Sequence, residues 1–176
     1  MSISKIKNDL KGHDTFPPVH KWNPDLCEGQ EFFIDREGDW YYNNSPIKNI
    51  KLINLFSRVL KKESNNYFLV TPVEKVPVKV EIAPYVIIDY KINNDSILLI
   101  TNMNYEFILD KENSTRLIEY QNSFIPIVNV RHGIEGFLNR NTYYKLIDIA
   151  LEKNFIDNDT LFIPSKSVNH QIGKIA

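Results

Sequence analysis

Cysteine and net charge are both scarce in this sequence, and each shortage excludes a class of protein. The 176 residues include a single cysteine, Cys27, so the chain cannot form an internal disulfide. The formal net charge is -1 at pH 7, and acidic and basic residues are interspersed along the chain. Such a balance provides no basic surface for a phosphate backbone, so we expect no nucleic-acid partner.

Long apolar runs are missing as well. The run at residues 97–100 is far shorter than the ~20 residues that a membrane-spanning helix needs. Residues 1–6 lack the apolar stretch of a signal peptide. Hydrophobic residues nevertheless make up 43% of the chain, which is enough to bury a core in one domain or two small ones. The sequence therefore predicts a soluble globular protein of the cytoplasm with no membrane partner.

The sequence does contain two segments with helical periodicity. In each, apolar residues recur at i, i+3, i+4, i+7 and i+8, which places them on one face of an α-helix. This face is expected to pack on a sheet, and an apolar strand is predicted at residues 67–73, directly after the first helix. The apolar positions are Leu52, Leu55, Phe56, Val59 and Leu60 in the first helix, which is predicted to end near residues 64–66, and Tyr143, Leu146, Ile147, Ala150 and Leu151 in the second, predicted at residues 142–153.

The two helical segments belong to a longer repeat. The second set of apolar positions follows the first by a constant 91 residues, as the step from Leu52 to Tyr143 shows. The strand LVTP at 69–72 corresponds to LFIP at 161–164 after a one-residue insertion. We interpret this pattern as an internal repeat of two units, each a hairpin, a helix and following strands.

Between the repeats, apolar segments alternate with breaks rich in asparagine, aspartate and proline, which is typical of an antiparallel meander. The predicted fold class is therefore α+β, with two similar units, each a hairpin, one amphipathic helix and following strands, joined by an antiparallel β-meander. Trp22 is expected to be largely buried and to anchor the N-terminal segment. The predicted domains are an extended N-terminal segment at 1–29, a first unit at 30–84, central antiparallel strands at 85–121 and a second unit at 122–176.

Four long motifs follow one another between Phe16 and Leu151. They are PPVHKWNP at 17–24, LFSRVL at 55–60, LVTPVEK at 69–75 and VNVRHGIE at 128–135. Together they resemble the bacterial domain-of-unknown-function family 1285. The resemblance implies a fold of two similar α+β domains, and a function that is not established but is suspected to be ligand binding in signalling.

One polar cluster follows the strand of the first unit. Thr71, Glu74 and Lys75 place a hydroxyl, a carboxylate and an ammonium at the end of that strand. Strand ends are a common position for binding sites, so these three residues are candidates for ligand binding. The alternative is a surface salt bridge that contributes little.

A second polar cluster lies in the second unit, where Arg131, His132 and Glu135 stand beside Gly133 and Gly136. A guanidinium can clamp an anionic group through two parallel hydrogen bonds. The alternative is a buried Arg–Glu pair that joins the two units.

The repeat predicts where these clusters meet, because corresponding strand ends of the two units are expected to face a shared groove. Its surplus of positive charge favours a small anionic molecule or a peptide carboxylate. In this hypothesis Arg131 is the clamp, Lys75 the point charge, and Thr71 and His132 the hydrogen-bond partners.

Signatures of catalysis and of cofactor binding are missing from the sequence. There is no Gly-rich phosphate loop, no nucleophile elbow and no zincin helix. No paired metal-ligand spacing occurs among His20, Cys27, His132 and His170. We therefore expect no cofactor, no metal and no catalytic residue.

Three functions remain open. The leading hypothesis is a non-catalytic, small-ligand-binding module in regulation or signalling, with a possible protein partner. The second is an enzyme that uses Glu74 or Glu135 with His132 and Lys75 in acid–base chemistry. The third is a protein-interaction scaffold, which would present a flat apolar patch.

Overall fold

The computed structural model describes residues 16–175, and it divides into two compact units between Pro84 and Tyr85. Each unit contains one α-helix and several strands, so the predicted α+β class with two similar units is confirmed. Residues 1–15, which form half of the predicted N-terminal segment, lie outside the described residues. No helix within residues 16–175 is both long and apolar enough to cross a membrane.

The first unit is built on one six-stranded sheet with strand order β3-β2-β1-β6-β5-β4. Neighbouring strands are antiparallel, except that β1 and β6 pair in parallel and so join the first hairpin to the last strand. The elements are β1 (Phe32–Ile34), β2 (Trp40–Tyr42), β3 (Ser45–Pro46), α1 (Ile50–Arg58), β4 (Leu60–Glu63), β5 (Asn66–Val70) and β6 (Lys75–Val80).

Helix α1 packs on the sheet face that carries Phe32 and Trp40. The ring of Phe56 lies 5.1 Å from the ring of Phe32 and 6.3 Å from that of Trp40, measured between centroids. Asn49 caps the helix, because its side-chain oxygen accepts hydrogen bonds from the first free backbone N–H groups. The core of this unit therefore lies between α1 and one face of the sheet.

The first helix is shorter than the sequence predicts. It ends at Arg58, and Leu60 begins strand β4, where it is fully buried and pairs with Leu69. Leu60 and its partner Leu69 lie on the same face of the sheet, so the last apolar position of the helical pattern belongs to the sheet. A turn with Ser64 at positive φ then connects β4 to β5.

The second unit contains a six-stranded sheet with strand order β10-β11-β12-β7-β8-β9 and a separate three-stranded sheet with order β13-β14-β15. The strands between residues 85 and 121 therefore form one sheet with the hairpin β11-β12. The elements are β7 (Tyr85–Asn93), β8 (Ser96–Thr101), β9 (Glu106–Ile108), β10 (Thr115–Tyr120), β11 (Ser123–Arg131), β12 (Ile134–Leu138), α2 (Arg140–Glu152), β13 (Ile156–Asp157), β14 (Thr160–Ser165) and β15 (Val168–Lys174).

The two units share the order hairpin, helix, three antiparallel strands, but the details of the predicted register differ. Pro72 lies in the turn between β5 and β6, whereas Pro164 lies inside β14 and faces Asn169. The turn after β14 falls later, at Lys166 and Ser167, both of which have positive φ. The prolines matched by sequence therefore occupy different places in their hairpins.

The N-terminal segment packs less deeply than expected. It forms a short 3-10 turn at Val19–Lys21, in which Val19 is buried. Trp22, the first residue after this turn, is only half-buried. The backbone N–H of Cys27 donates to the carbonyl of Lys75 at 2.7 Å, which ties the segment to β6. The anchor is thus a combination of one buried valine, a half-buried indole and backbone hydrogen bonds.

Candidate functional site

The first predicted cluster starts with a tight turn between β5 and β6. The backbone N–H of Thr71 donates to the carbonyl of Glu74 at 2.8 Å, and the Thr71 hydroxyl accepts a hydrogen bond from the Glu74 N–H at 3.1 Å. Thr71 is buried, and its hydroxyl satisfies the backbone of its own turn. Its main role in the structure is therefore to shape the hairpin that presents Lys75.

Lys75 reaches across the sheet to a carboxylate that it shares with a second lysine. Its Nζ lies 3.0 Å from Oε2 of Glu63, and Nζ of Lys61 lies 2.8 Å from Oε1 of the same group. The side chains of Lys75 and Lys61 are only 15% and 16% exposed, and that of Glu63 is 31% exposed. We call these three residues the Lys–Glu–Lys cluster.

Strand register explains why these residues meet. Lys61 on β4 faces Phe68 on β5, and Val70 on β5 faces Lys75 on β6. Facing residues and alternate residues along a strand share one face of a sheet. The cluster therefore lies on the face opposite to the one that α1 covers.

Aromatic and backbone groups complete the surroundings of the cluster. Nζ of Lys75 lies 5.1 Å from the centre of the Phe68 ring, within the range of a cation–π interaction. Nζ of Lys61 donates to the carbonyl oxygen of Trp22 at 2.9 Å. Each ammonium is thus held in place by two groups, which limits its freedom in the unliganded protein.

The electrostatics of the cluster leave one positive charge in excess. Hydrogen bonds from Lys61 and then Lys75 lower the pKa of Glu63 below its ordinary value of 4.5, and they outweigh the burial that would raise it. Glu63 is therefore ionised at neutral pH, and two ammonium groups surround one carboxylate. An ammonium has three N–H donors, so donors remain for a further acceptor.

Lys61 and Glu63 are members of the cluster that the sequence did not single out. They precede the turn that was assigned to the end of a helix, and nothing in the sequence links them to Lys75. The signal that could have found them is the polar turn SNN at 64–66 followed by an apolar strand, which is typical of the second half of a hairpin.

In the second predicted cluster, Arg131 is buried against Tyr85. The whole residue is only 5% exposed, and its Nε donates to the Tyr85 hydroxyl at 3.2 Å. The guanidinium carbon also lies 6.0 Å from the centre of the Tyr85 ring. Arg131 thus packs on the strand that starts the second unit.

The neighbours of Arg131 have different roles. His132 and Gly133, both with positive φ, form the two-residue turn between β11 and β12, and His132 is exposed. The carboxylate of Glu135 accepts hydrogen bonds from Nε and Nη2 of Arg116 on β10 at 3.0 and 2.7 Å. The structure therefore groups the three predicted residues in one hairpin, and the arginine that pairs with Glu135 is Arg116.

The structure offers no cluster for metal binding in its described part, because no three His, Cys, Asp or Glu side chains gather there. His170 is fully buried on β15, and its Nε2 lies 3.4 Å from the carbonyl oxygen of Ser165. Burial lowers the pKa of His170 below its ordinary value of 6.5, although the Ser165 carbonyl and the charge of Asp110 act in the opposite direction. A neutral imidazole therefore belongs to the core of the second unit.

Two family models match the chain. One, described as the N-terminal domain of a domain of unknown function (DUF1285), matches residues 17–83. The other, described as the C-terminal domain of a protein of unknown function (DUF1285), matches residues 84–172. No functionally curated protein matches the chain.

Two crystal structures of bacterial proteins resemble this chain. A DUF1285 family protein from Silicibacter pomeroyi DSS-3 is 28% identical with a TM-score of 0.84, and the match covers 92% of this chain and 90% of that protein. A DUF1285 family protein from Shewanella baltica OS155 is also 28% identical with a TM-score of 0.56, and the match covers 69% of this chain and 94% of that protein. Both similarities extend to sequence as well as fold.

Proposed function

The chain belongs to the DUF1285 family, and we propose that its first unit is a non-catalytic module that binds a small anion at the Lys–Glu–Lys cluster. The activity of the family is unknown, so the proposal stands on the chemistry of this site. A module of this kind would act in regulation or signalling by binding a carboxylate- or phosphate-bearing metabolite.

The observation that supports the proposal is the shared carboxylate. Lys61 and Lys75 both bind Glu63, which can neutralise only one of them. With side chains only 15–16% exposed, the lysines interact with an incoming anion through a medium of lower dielectric than water. A pair of unit charges 4 Å apart gains about 4 kcal/mol at an effective dielectric of 20, against about 1 kcal/mol in bulk water.

The surroundings favour a small ligand. The Phe68 ring forms an apolar wall beside Lys75, and the turn from Thr71 to Glu74 fixes the backbone from which Lys75 projects. A carboxylate or phosphate oxygen can accept the remaining N–H donors of both ammonium groups. Since these donors are already positioned, little side-chain entropy is lost on binding.

The proposal is tested by calorimetric titration of succinate and of inorganic phosphate at low ionic strength. Lys75→Met removes the excess charge and should weaken binding at least about tenfold, the loss typical of a charged hydrogen bond. Glu63→Gln raises the excess charge and should tighten binding. Opposite signs for the two substitutions would separate electrostatic recognition from general damage to the fold.

Lys79→Met provides the matched control. Lys79 lies on the same strand and face as Lys75 but forms an exposed pair with Glu31. Binding of both anions should stay at the wild-type level in this variant and should weaken with added salt. Equal losses in Lys79→Met and Lys75→Met, or no saturable heat in the wild type, would refute the proposal.

That Arg131 binds the anion through two hydrogen bonds stays a prediction, and the same titration tests it. Arg131→Lys keeps the charge but removes the planar fork that binds two oxygens at once. A wild-type affinity in this variant would assign the anion to the first unit alone. A loss comparable to that of Lys75→Met would add Arg131 to the site.

A further inference from the structure

The second unit contains a pocket of about 310 Å³ that is separate from both predicted clusters. It lies where three elements of this unit meet, namely the turn between β7 and β8, the end of helix α2, and the turn between β14 and β15. Its volume falls at the lower end of the range of small-molecule sites. The lining residues have no part in the proposed function.

The body of the pocket is apolar. Ile97 and Ile163 are buried in its lining, and Ile149 and Phe155 add partly buried surface from helix α2 and the segment after it. Ile92 is half exposed and also belongs to the lining. Such a surface favours a hydrocarbon chain or ring over a polar ligand.

Two polar side chains of the lining, those of Ser165 and Asp95, have partners within the protein. The buried Ser165 hydroxyl donates to the carbonyl of Leu109 at 2.6 Å and accepts from the Ile97 N–H at 2.9 Å. The Asp95 carboxylate accepts from Nζ of Lys166 at 3.0 and 3.1 Å, and this ammonium lowers the pKa of Asp95 below its ordinary value. Asp95 and Lys166 therefore neutralise each other beside the pocket.

Lys153 supplies the remaining charge of the lining. It is exposed and follows the last residue of helix α2. The partial negative charge at a helix C-terminus is about half an elementary charge, so it offsets only part of the ammonium. The lining thus combines an apolar body with a net positive charge at its edge.

We propose that this pocket binds a small monocarboxylate with an apolar tail. The carboxylate would pair with Lys153, and the tail would lie against Ile97, Ile149 and Ile163. The volume of about 310 Å³ suits a ligand at the small end of the range of bound small molecules. Octanoate, which matches this size, is therefore a suitable probe.

The direct test is a titration of octanoate followed by NMR of isoleucine methyl groups in the full chain. Saturable shifts should appear at Ile92, Ile97, Ile149 and Ile163, and the methyl of Ile108 on the exposed surface of β9 should stay unshifted. Shifts confined to the first unit would overturn this proposal while leaving the anion site there intact. An absence of saturable shifts would overturn it as well.

Two pairs of variants locate the tail and the carboxylate. Ile92→Trp fills the mouth and should abolish the shifts, whereas Ile108→Trp, at another exposed isoleucine of the same sheet, should not. Lys153→Met should weaken octanoate about two- to fivefold, as expected for an exposed charge pair, and Lys145→Met on the same helix should not.

A neutral probe completes the design. Binding of 1-octanol should be equal in the wild type and in Lys153→Met, because it has no charge to pair. Octanoate binding that is unchanged in both Ile92→Trp and Lys153→Met would refute the site.

Discussion

The two units connect the same elements in the same order but complete their sheets differently. In the first, the strands after the helix return to the hairpin, and β6 pairs in parallel with β1. In the second, the hairpin strand β12 pairs in parallel with β7, and the strands after the helix form a sheet of their own. One connectivity therefore supports two hydrogen-bonding schemes, and the extra strands from β7 to β10 decide between them.

The two proposed sites depend on this difference in topology to different extents. The Lys–Glu–Lys cluster needs β4, β5 and β6 to be neighbours in one sheet. The strands β13, β14 and β15 repeat this order in the second unit, but β13 is short (Ile156–Asp157) and carries no lysine or glutamate. The pocket needs the β14–β15 turn to lie beside the β7–β8 turn, which follows from the separate sheet of the second unit. The pocket thus depends on a feature of topology that the first unit lacks, whereas the Lys–Glu–Lys cluster depends on the side chains that β4 and β6 carry.

The largest expected effect on stability comes from creating a cavity in the core beneath each helix. Phe56→Ala, which removes the ring packed on Phe32 and Trp40, should cost about 3–5 kcal/mol, and Leu146→Ala about 2–5 kcal/mol. Hydrogen exchange should show lost protection in the unit that carries the substitution. Leu151→Ala, at a half-exposed leucine of α2, is the control and should change stability by less than about 0.5 kcal/mol.

The pattern of lost hydrogen-exchange protection shows whether the two units unfold independently. Both tryptophans of the chain, Trp22 and Trp40, lie in the first unit, so their fluorescence reports on that unit alone. Equal loss of protection in both units from either substitution would mean that they unfold as one cooperative body, and the comparison would then concern topology only.

A smaller effect is expected from the parallel pair that closes the second unit. Gly136 faces Tyr85 there, and an added Cβ would lie 3.0 Å from Cγ2 of Val130 and 3.1 Å from the Tyr85 backbone oxygen. Gly136→Ala should therefore destabilise the second unit by about 1–3 kcal/mol in denaturant titrations. The first unit closes with Phe32 opposite Val78 and needs no glycine.

Gly133→Asn is the control for that substitution. Gly133 has a φ of +78° but no heavy atom near its missing Cβ, and asparagine tolerates this backbone conformation. Its effect should be a few tenths of a kcal/mol. A larger loss in Gly133→Asn than in Gly136→Ala would show that the turn, and not the close contact of strands, limits stability.

The smallest effect is a difference in acid sensitivity. Folding lowers the pKa of His170 below 6.5 and that of Glu63 below 4.5, so the folded state binds fewer protons at both groups and stability rises with pH. The contribution of His170 is complete above pH 6.5 and is lost as the pH falls through its folded pKa. The contribution of Glu63 is lost only below pH 4.5.

The second unit should accordingly weaken first on acidification, by at most about 1.4 kcal/mol per pH unit, which is what the uptake of one proton contributes. Unfolding at pH 7.5 and at pH 5.5, followed by circular dichroism and by tryptophan fluorescence, measures the difference. His170→Gln should remove it, whereas His132→Asn at the exposed turn should leave it. A pH dependence retained in His170→Gln would assign the proton uptake to another group.

The sequence predicted the positions of helices and strands better than it predicted which strands pair with each other. The strand predicted at residues 67–73 begins within one residue of β5 (Asn66–Val70), because an apolar run and its flanking turns are local signals. The predicted end of helix α1 was wrong, since Leu60 fits the helical periodicity although it begins strand β4. Strand β12 was missed because Gly136, whose small size its pairing requires, weakens a strand pattern.

Of the Lys–Glu–Lys cluster, the sequence predicted Lys75 as a candidate but not the residues that surround it. Contacts within a hairpin are local, whereas the pairing of Lys75 with Glu63 depends on which residues of β4 and β5 face each other. A shift of one residue in that register would move Glu63 to the opposite face. The family resemblance supplied the fold and could not supply this contact.

The parallel pair of β1 and β6 also has a consequence for how the chain is made. Residues 32 and 78 must meet to close the first sheet, and at the usual rate of synthesis the second emerges on the order of several seconds after the first. Until then one edge of the hairpin β1-β2 exposes unpaired backbone groups to other chains. Closure of the first unit is therefore a late, non-local event, and slow or paused synthesis before residue 75 would increase aggregation without changing the final structure.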